Sequence, residues 1–412
     1  MATSRQEIAD RVNILLPMPT PGGETGEALR SGGEGEWGAA EYARARAAAA
    51  ELEQREPSPA PADEAMAHAV LRAMASSNEL RGAMAVAAAQ ATEEEEEVGY
   101  VSLADLDRVG PPHGVPLFIP EIGVLSVPAP LDGAAAIQAT AQTVHPAMRA
   151  EPAVLYSIVA PLATADTIGC TPVAFLSDAV AEDQPAQWLE AALEMSAAAQ
   201  AVPWGVARVN APHAWARGCR GQGIRVAVVD TGVGPHIDLA PPVASATFVP
   251  GSTSANDDNG HGTHVAGTIA ALDNATGVVG VAPRALLLRA KVLNRNGSGS
   301  DTQVAAGIVW AVNNGARIIN LSLGGGFSAV IQRALSFARQ RRVAICAAAG
   351  NNSTPTQCAP LIYPARDPLC IAVAATDAGN RKAAFSCCGP ELDLAAPGST
   401  SCRRSRATPT VS

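Results

Sequence analysis

A carboxylate, an imidazole and an amide stand at three points where the local sequence predicts that they face one crevice. Asp230 ends the apolar, β-branched segment 224–229, which predicts a strand. His261 begins segment 261–272, whose small and apolar residues without proline predict a tightly packed helix. Asn351 follows a second apolar, strand-like segment. Polar residues at the carboxyl ends of parallel strands converge, so we expect the three side chains to meet.

The predicted position of His261 suits acid–base chemistry. A titratable ring held at the start of a helix is well placed to act as a general base. Gly262 and Gly267 lower the helix propensity of the same segment, and we expect both to allow the close approach of another backbone.

From residue 224 onward, the pattern alternates between strands and helices. The strands are continuous apolar runs, which indicates a parallel sheet covered on both faces. The expected fold class is therefore α/β, with a doubly wound, mostly parallel sheet and helices on both faces. The predicted strands are 224–230, 286–293, 317–321, 342–348 and 370–375, and the predicted helices are 261–272, 301–314 and 327–340.

The three motifs, in this order, resemble those of the subtilisin-like serine proteases, or subtilases. The resemblance extends from about Ala199 to Gly398. It implies that Asp230 orients the imidazole, His261 is the general base and Asn351 donates to the oxyanion, as in subtilisin, one of the enzymes that exemplify this mechanism. It also implies a polypeptide substrate.

The resemblance further implies where that substrate binds. Subtilases pair an extended substrate with a strand beside the cleft, so that main-chain hydrogen bonds supply affinity and pockets supply selectivity. Small residues on the opposite wall would admit a large apolar side chain. The implied substrate-binding residues are Ser322, Leu323, Gly324 and Gly325 on the strand, and Ala348, Ala349 and Gly350 on the opposite wall.

The segment after the helix resembles the calcium loop of the family, and an ordinary tight turn is the alternative. An all-oxygen shell is what the hard cation Ca²⁺ prefers. The implied ligands are the side-chain oxygens of Gln200, Asp238 and Asn274 and the carbonyl oxygens of Leu272, Thr276 and Val278.

The nucleophile of the family is a serine in a Gly-Thr-Ser-Met-Ala motif, and nothing in the 412 residues matches it. We therefore expect the chain, as written, to be inactive, either as a truncated endopeptidase precursor or as a pseudoprotease that binds peptide or calcium. The tail after Gly398 does not resemble a subtilase, but the genetic code permits a subtilase-like continuation in a shifted frame. A frameshift in the gene or in its sequencing is our hypothesis, which resequencing the DNA tests.

Single motifs of this chain also resemble three other kinds of site, but each match is incomplete. An aspartic protease needs two carboxylates that share a proton, and only one Asp-Thr-Gly triplet occurs. A dinucleotide-binding loop needs a third glycine after Gly232 and Gly234. A zinc site on His261 and His264 lacks the His-Glu-x-x-His pattern, so we expect His264 to be structural.

The composition of the chain limits the classes of partner that we expect. The chain is 48% hydrophobic, and its formal net charge of −10 argues against a nucleic-acid partner. No apolar run is long enough to span a bilayer. The first residues do not resemble a signal peptide, so the compartment is not predicted. The eight cysteines lack metal-ligand spacing; Cys358 and Cys370 could pair across one loop or remain free.

We expect four regions along the chain. Residues 1–100 are rich in Gly, Glu, Ala and Pro and are predicted to be weakly ordered. Residues 101–198 contain predicted strands at 124–127 and 153–159 and a helix at 134–144. By position this region resembles the subtilase propeptide, an intramolecular inhibitor, although an unrelated appended domain would also fit. Residues 199–398 form the expected catalytic domain, and residues 399–412 form the aberrant tail.

Overall fold

Seven parallel strands form the sheet that carries the predicted site. In the computed structural model, strands β7 to β9, β11 and β13 to β15 lie in the order β15-β14-β13-β11-β7-β9-β8. These strands are Arg225–Asp230 (β7), Ala244–Thr247 (β8), Leu286–Lys291 (β9), Ile318–Leu321 (β11), Ala344–Ala348 (β13), Ile371–Thr376 (β14) and Leu394–Pro397 (β15). The structure describes residues 11–18, 43, 47, 61–77, 80, 100–103, 106, 110–129, 133–159 and 200–399.

Both faces of this sheet are covered, as the continuous apolar strands predict. Along β7, Ala227 and Val229 pack into a core with two helices of one face, whereas Val226 and Val228 pack into a second core under the helix that begins at His261. The α/β fold class is therefore confirmed. The helices of this region are Trp204–Arg208 (α3), Ala211–Ala216 (α4), His261–Ala270 (α5), Asp301–Asn313 (α6) and Ala329–Gln340 (α7).

A five-stranded sheet precedes this region, in the order β2-β3-β4-β1-β5. Its apolar face packs against two helices in a core of its own. Its elements are Arg11–Leu15 (β1), Glu64–Ser76 (α1), Val101–Ser102 (β2), Leu117–Ile119 (β3), Val124–Pro128 (β4), Ala134–Val144 (α2) and Arg149–Pro152 (β5), with a 3-10 turn at Pro120–Ile122.

The expected boundary at residue 100 does not match this N-terminal unit. Strand β1 lies between β4 and β5 and is almost wholly buried, and α1 is a complete helix with an Asp63 N-cap. The prediction of weak order is therefore wrong for these two segments. The acidic run at 93–97 and the tail beyond Ser399 lie outside the described residues.

One strand passes from the N-terminal unit into the rest of the protein. Strand β6 (Leu155–Ile158) lies between β10 (Ser298–Ser300) and β12 (Leu323–Gly325), antiparallel to both. The predicted strand 153–159 thus does not extend the N-terminal sheet. It pairs instead with β12, the predicted substrate strand.

Two further features bear on the sequence predictions. Cys358 forms a disulfide with Cys388, not with Cys370, which is buried and takes part in no disulfide. Within the described ranges, no helix combines the length and apolar character needed to cross a bilayer.

Candidate active site

Asp230 and His261 are in direct contact. Oδ1 of Asp230 lies 2.8 Å from Nδ1 of His261, and the carboxylate is fully buried at the carboxyl end of β7. The backbone N–H of Thr231 donates to the same oxygen at 2.7 Å. Asp230 is therefore partnered by an imidazole and not by a second carboxylate, which is the arrangement of a base with its orienting acid.

The position of His261 comes from the start of α5. Gly260 caps this helix with a φ of 101°, a conformation that favours glycine, and Oδ1 of Asn259 accepts the N–H of His261 at 3.2 Å. Burial alone lowers the pKa of His261, but the hydrogen bond and the charge of Asp230 outweigh it. The net pKa is raised, so the imidazolium form is stabilised.

Close packing of α5 on β7 depends on one glycine. A Cβ on Gly262 would overlap the carbonyl oxygen of Gly232 and would lie 3.2 Å from Cβ of Asp230. The prediction of close approach is therefore confirmed for Gly262. It is wrong for Gly267, where a Cβ would meet nothing within 4 Å outside the helix. His264 lies exposed on the same helix, and its structural role stays a prediction.

A second acid, Asp257, was not singled out by the sequence analysis. Its carboxylate accepts hydrogen bonds from Oγ1 of Thr231, from N–H and Oγ1 of Thr263, and from the N–H groups of Asn259 and Gly260. Burial raises the pKa of Asp257, but these hydrogen bonds more than offset it and the net pKa is lowered. Asp257 thus ties the turn after β7 to the start of α5.

Asn351 follows β13 through Gly350, whose φ of 114° turns the chain. Nδ2 of Asn351 is buried and has no hydrogen-bond partner among the described residues. A buried amide donor without a partner carries a desolvation cost that a bound acceptor would remove. This is the property required of an oxyanion donor.

The predicted substrate strand is occupied by the protein itself. In β12, Gly324 and Gly325 stand opposite Ser157 and Tyr156 of β6, and the carbonyl oxygen of Ser322 accepts the N–H of Val159 at 2.9 Å. A hydrogen bond to the backbone of Val159 also raises the pKa of His261. The segment 155–159 therefore runs along the cleft and reaches the imidazole. All four residues of the predicted substrate strand, Ser322, Leu323, Gly324 and Gly325, pair with this segment.

The opposite wall lies next to an isoleucine from a more distant loop. Ala348 ends β13, and Ala349 and Gly350 continue it. The side chain of Ile362 lies between Gly350 and Gly324, with two of its carbons 3.1 Å from where a Cβ on Gly350 would stand. The prediction of room for a large apolar side chain stays a prediction, on which the position of Ile362, a residue from a more distant loop, bears directly.

The predicted calcium ligands form one cluster. The carbonyl oxygens of Leu272 and Val278 and Oδ1 of Asn274 all lie within 2.5 to 3.5 Å of Nε2 of Gln200. Oδ1 of Asp238 accepts from Nδ2 of Asn274, and Oδ2 accepts from the N–H of Val278. Both N–H and Oγ1 of Thr276 donate to Asn274.

The donor set of this cluster fits a hard cation. Three oxygens converge on one amide nitrogen, and rotating the Gln200 amide would replace that nitrogen with a fourth oxygen. The only carboxylate that these contacts include is Asp238, whose pKa is raised by burial against the hydrogen bonds of Val278 and Asn274. No group of three His, Cys, Asp or Glu side chains gathers as a metal site in the described parts of the chain.

Comparison with known proteins identifies similar sequences. Residues 221–412 match the model of the Subtilase family. The chain is 51% identical over 201 residues to Subtilisin Savinase of Lederbergia lenta, covering 48% of this chain and 73% of that protein. It is 48% identical over 222 residues to an alkaline protease of Alkalihalobacillus alcalophilus, and 46% identical over 222 residues to Alkaline elastase YaB of Bacillus sp. (strain YaB). Each of these two alignments covers 54% of this chain and 57% of the relative, little more than half of its length.

Proposed function

Because the chain belongs to the subtilase family, we propose that its cleft is built to hydrolyse peptide bonds by serine-type endopeptidase chemistry. The observation that carries the proposal is the 2.8 Å hydrogen bond between His261 and the buried Asp230, beside a cleft that already holds an extended peptide segment. The acid–base pair at the end of β7 and the strand β12, which pairs with this segment, thus contribute to one cleft.

In the proposed mechanism, each residue has one task. Nε2 of His261 takes the proton of a serine hydroxyl as its oxygen attacks the peptide carbonyl, and later returns that proton to the leaving amine. Asp230 accepts a hydrogen bond from the Nδ1–H group of His261 and stabilises the imidazolium. Nδ2 of Asn351 donates to the oxyanion; loss of such a donor lowers kcat by roughly 10²–10³-fold, a magnitude that comes from subtilisin itself.

A non-catalytic peptide-binding role is the second candidate function. It is favoured by one observation: β12 already pairs with an extended segment, and this pairing needs no nucleophile. Without a serine beside His261, no acyl-enzyme forms, but the strand-pairing edge of β12 would still bind an extended peptide.

Expression from the native gene, followed by labelling with a serine-directed fluorophosphonate, separates the two functions. The peptidase predicts a labelled product that hydrolyses an internally quenched peptide, and His261→Ala should abolish both signals because the hydroxyl is no longer activated. A peptide-binding product that remains unlabelled would support the pseudoprotease. Labelling that persists unchanged in His261→Ala would contradict the role of His261.

We also propose that the N-terminal unit acts as an intramolecular inhibitor. Strand β6 pairs with both strands that border the cleft, β10 and β12, so an external peptide would have to displace it. Tyr156 supports this role, because its ring is fully buried and its hydroxyl donates to the carbonyl of Gly326 at 2.8 Å. Such a buried, hydrogen-bonded aromatic is a strong anchor.

The cluster around Gln200 and Asp238 is proposed to hold a structural Ca²⁺. A cation bound only in the folded state, at 100 times its Kd, stabilises that state by about 2.7 kcal/mol. Chelation with EDTA should therefore lower Tm by roughly 5–10 °C, and added Ca²⁺ should restore it. Asp238→Asn should make Tm insensitive to both treatments, whereas the neighbouring Asp273→Asn should respond normally. An unchanged Tm of the unaltered protein in EDTA would speak for an ordinary turn.

A further inference from the structure

We propose that Ile362 closes the pocket beside His261, so that the site accepts peptides with a small side chain, such as alanine or valine, before the bond to be cut. Large aromatic side chains would be excluded. The inference rests on the proposed peptide-hydrolysing function and names the class of substrate that the same site would take.

The backbone holds Ile362 between the two walls of the pocket. Its N–H donates to the carbonyl oxygen of Ala349 at 3.1 Å, which joins it to the wall after β13. The next residue, Tyr363, accepts the N–H of Gly325 at 2.9 Å, which joins the same segment to β12. Because both walls hold the segment, Ile362 cannot leave the pocket through a simple shift of its backbone.

The side chain of Ile362 fills the space that the wall glycines would otherwise leave. Cγ1 and Cγ2 lie 3.1 Å from the position of a Cβ on Gly350, and a Cβ on Gly324 would overlap Cγ1 and Cδ1. Protein interiors are close-packed, so a ring placed here would force Ile362 off its position. A side chain of one to three carbons needs much less of this volume.

The segment 155–159, which occupies the cleft, also has a small side chain at this position. Val159 donates its N–H to the carbonyl oxygen of Ser322 at 2.9 Å, two residues before Gly324, which Ile362 covers. On this proposal, the side chain of Val159 is the one that meets the pocket. The large side chain of the segment, Tyr156, is buried three residues earlier, against Gly326. The residue presented to the closed pocket is therefore a small one.

Amide hydrogen exchange in the full 412-residue chain tests the inference. The N–H groups of Ile158 and Val159 donate to Gly297 and Ser322, so their protection reports whether the segment occupies the cleft. Val159→Phe should reduce this protection by about tenfold or more, because the ring does not fit beside Ile362. Val159→Ala, the matched small variant, should change it little. Val159→Phe combined with Ile362→Gly should regain protection.

Three results would overturn the inference. The first is that Val159→Phe and Val159→Ala both keep the protection of the Ile158 and Val159 amides, and the second is that both lose it equally. In either case the size of the side chain does not matter. Failure of Ile362→Gly to rescue Val159→Phe would mean that another residue closes the pocket, and Ile362→Ala repeats the test if the glycine variant does not fold. Amides of β11 serve as the folding control. The readout is binding alone, so an absence of fluorophosphonate labelling would reject the peptidase without affecting this result.

Discussion

Asp230→Asn is expected to lower kcat by about 10⁴-fold in the peptidase that we propose the native gene encodes, the size of effect seen when the acid of such a triad is amidated. The carboxylate accepts a hydrogen bond from Nδ1–H of His261, which fixes the tautomer in which Nε2 is free to take the serine proton. An asparagine amide can instead donate to Nδ1 and so favour the tautomer that carries its proton on Nε2. The measurement is steady-state hydrolysis of a peptide substrate at saturation.

Asp377→Asn is the control for this variant. It removes the same charge from a surface turn, where Asp377 pairs with the exposed Arg381, and should leave kcat unchanged. A kcat for Asp230→Asn within about threefold of the unaltered protein would contradict the role given to the carboxylate.

The second large effect is expected at the contact between the N-terminal unit and α6. Asp301 is 1% exposed, and its carboxylate accepts from Nδ2 of Asn13 at 3.0 Å and from Oγ of Ser328 at 2.8 Å. Thr302 completes the network, because its Oγ1 donates to Oδ1 of Asn13 at 2.7 Å. Asp301→Ala would leave buried donors without an acceptor, so we expect a loss of about 3 kcal/mol in the free energy of unfolding.

Denaturant unfolding of Asp301→Ala, Asn13→Ala and the double variant measures this effect. The two single effects should not add, because each removes the same interaction. Asp377→Ala, at the surface, is the matched control and should cost little. Additive losses in the double variant would show that Asn13 and Asp301 act independently, against the network described above.

The same carboxylate predicts how stability changes with pH. Burial raises the pKa of Asp301, and the hydrogen bonds of Ser328 and Asn13 lower it only in part. A raised folded-state pKa means that the folded form binds the proton more tightly than the unfolded form. Its contribution is therefore largest below the ordinary carboxyl pKa and is lost as pH rises through the raised value. Glu151 acts in the same direction, since burial and the charge of Asp301 also raise its pKa.

Much of the sheet and of the acid–base pair was predictable because the signals are local. The runs that form β7, β9, β11, β13 and β14 are apolar and bounded by turns. No predicted end of these strands differs from the observed one by more than two residues. Asp230 and His261 each stand at the end of such an element, so topology alone brings them together.

The missed features depend on contacts between distant parts of the chain. Strand β1 carries a polar Asn13 in its centre, which is buried only because Asp301 and Thr302 supply its partners from α6. Strands β10 and β12 have three residues each, too few for a periodic signal. Ile362 lies in a loop that is distant in sequence from Gly324 and Gly350, so no local pattern predicts that its side chain meets them.

The central claim is that Asp230 and His261 act as one acid–base pair, and an NMR titration of His261 tests it most directly. The 412-residue chain has seven histidines, and His261→Ala assigns the signal. We predict a pKa for His261 above the ordinary imidazole value and a clearly lower pKa in Asp230→Asn, where burial still disfavours the charged ring but the carboxylate is gone. The same pKa of His261 in both proteins would contradict the claim that Asp230 and His261 act as one acid–base pair.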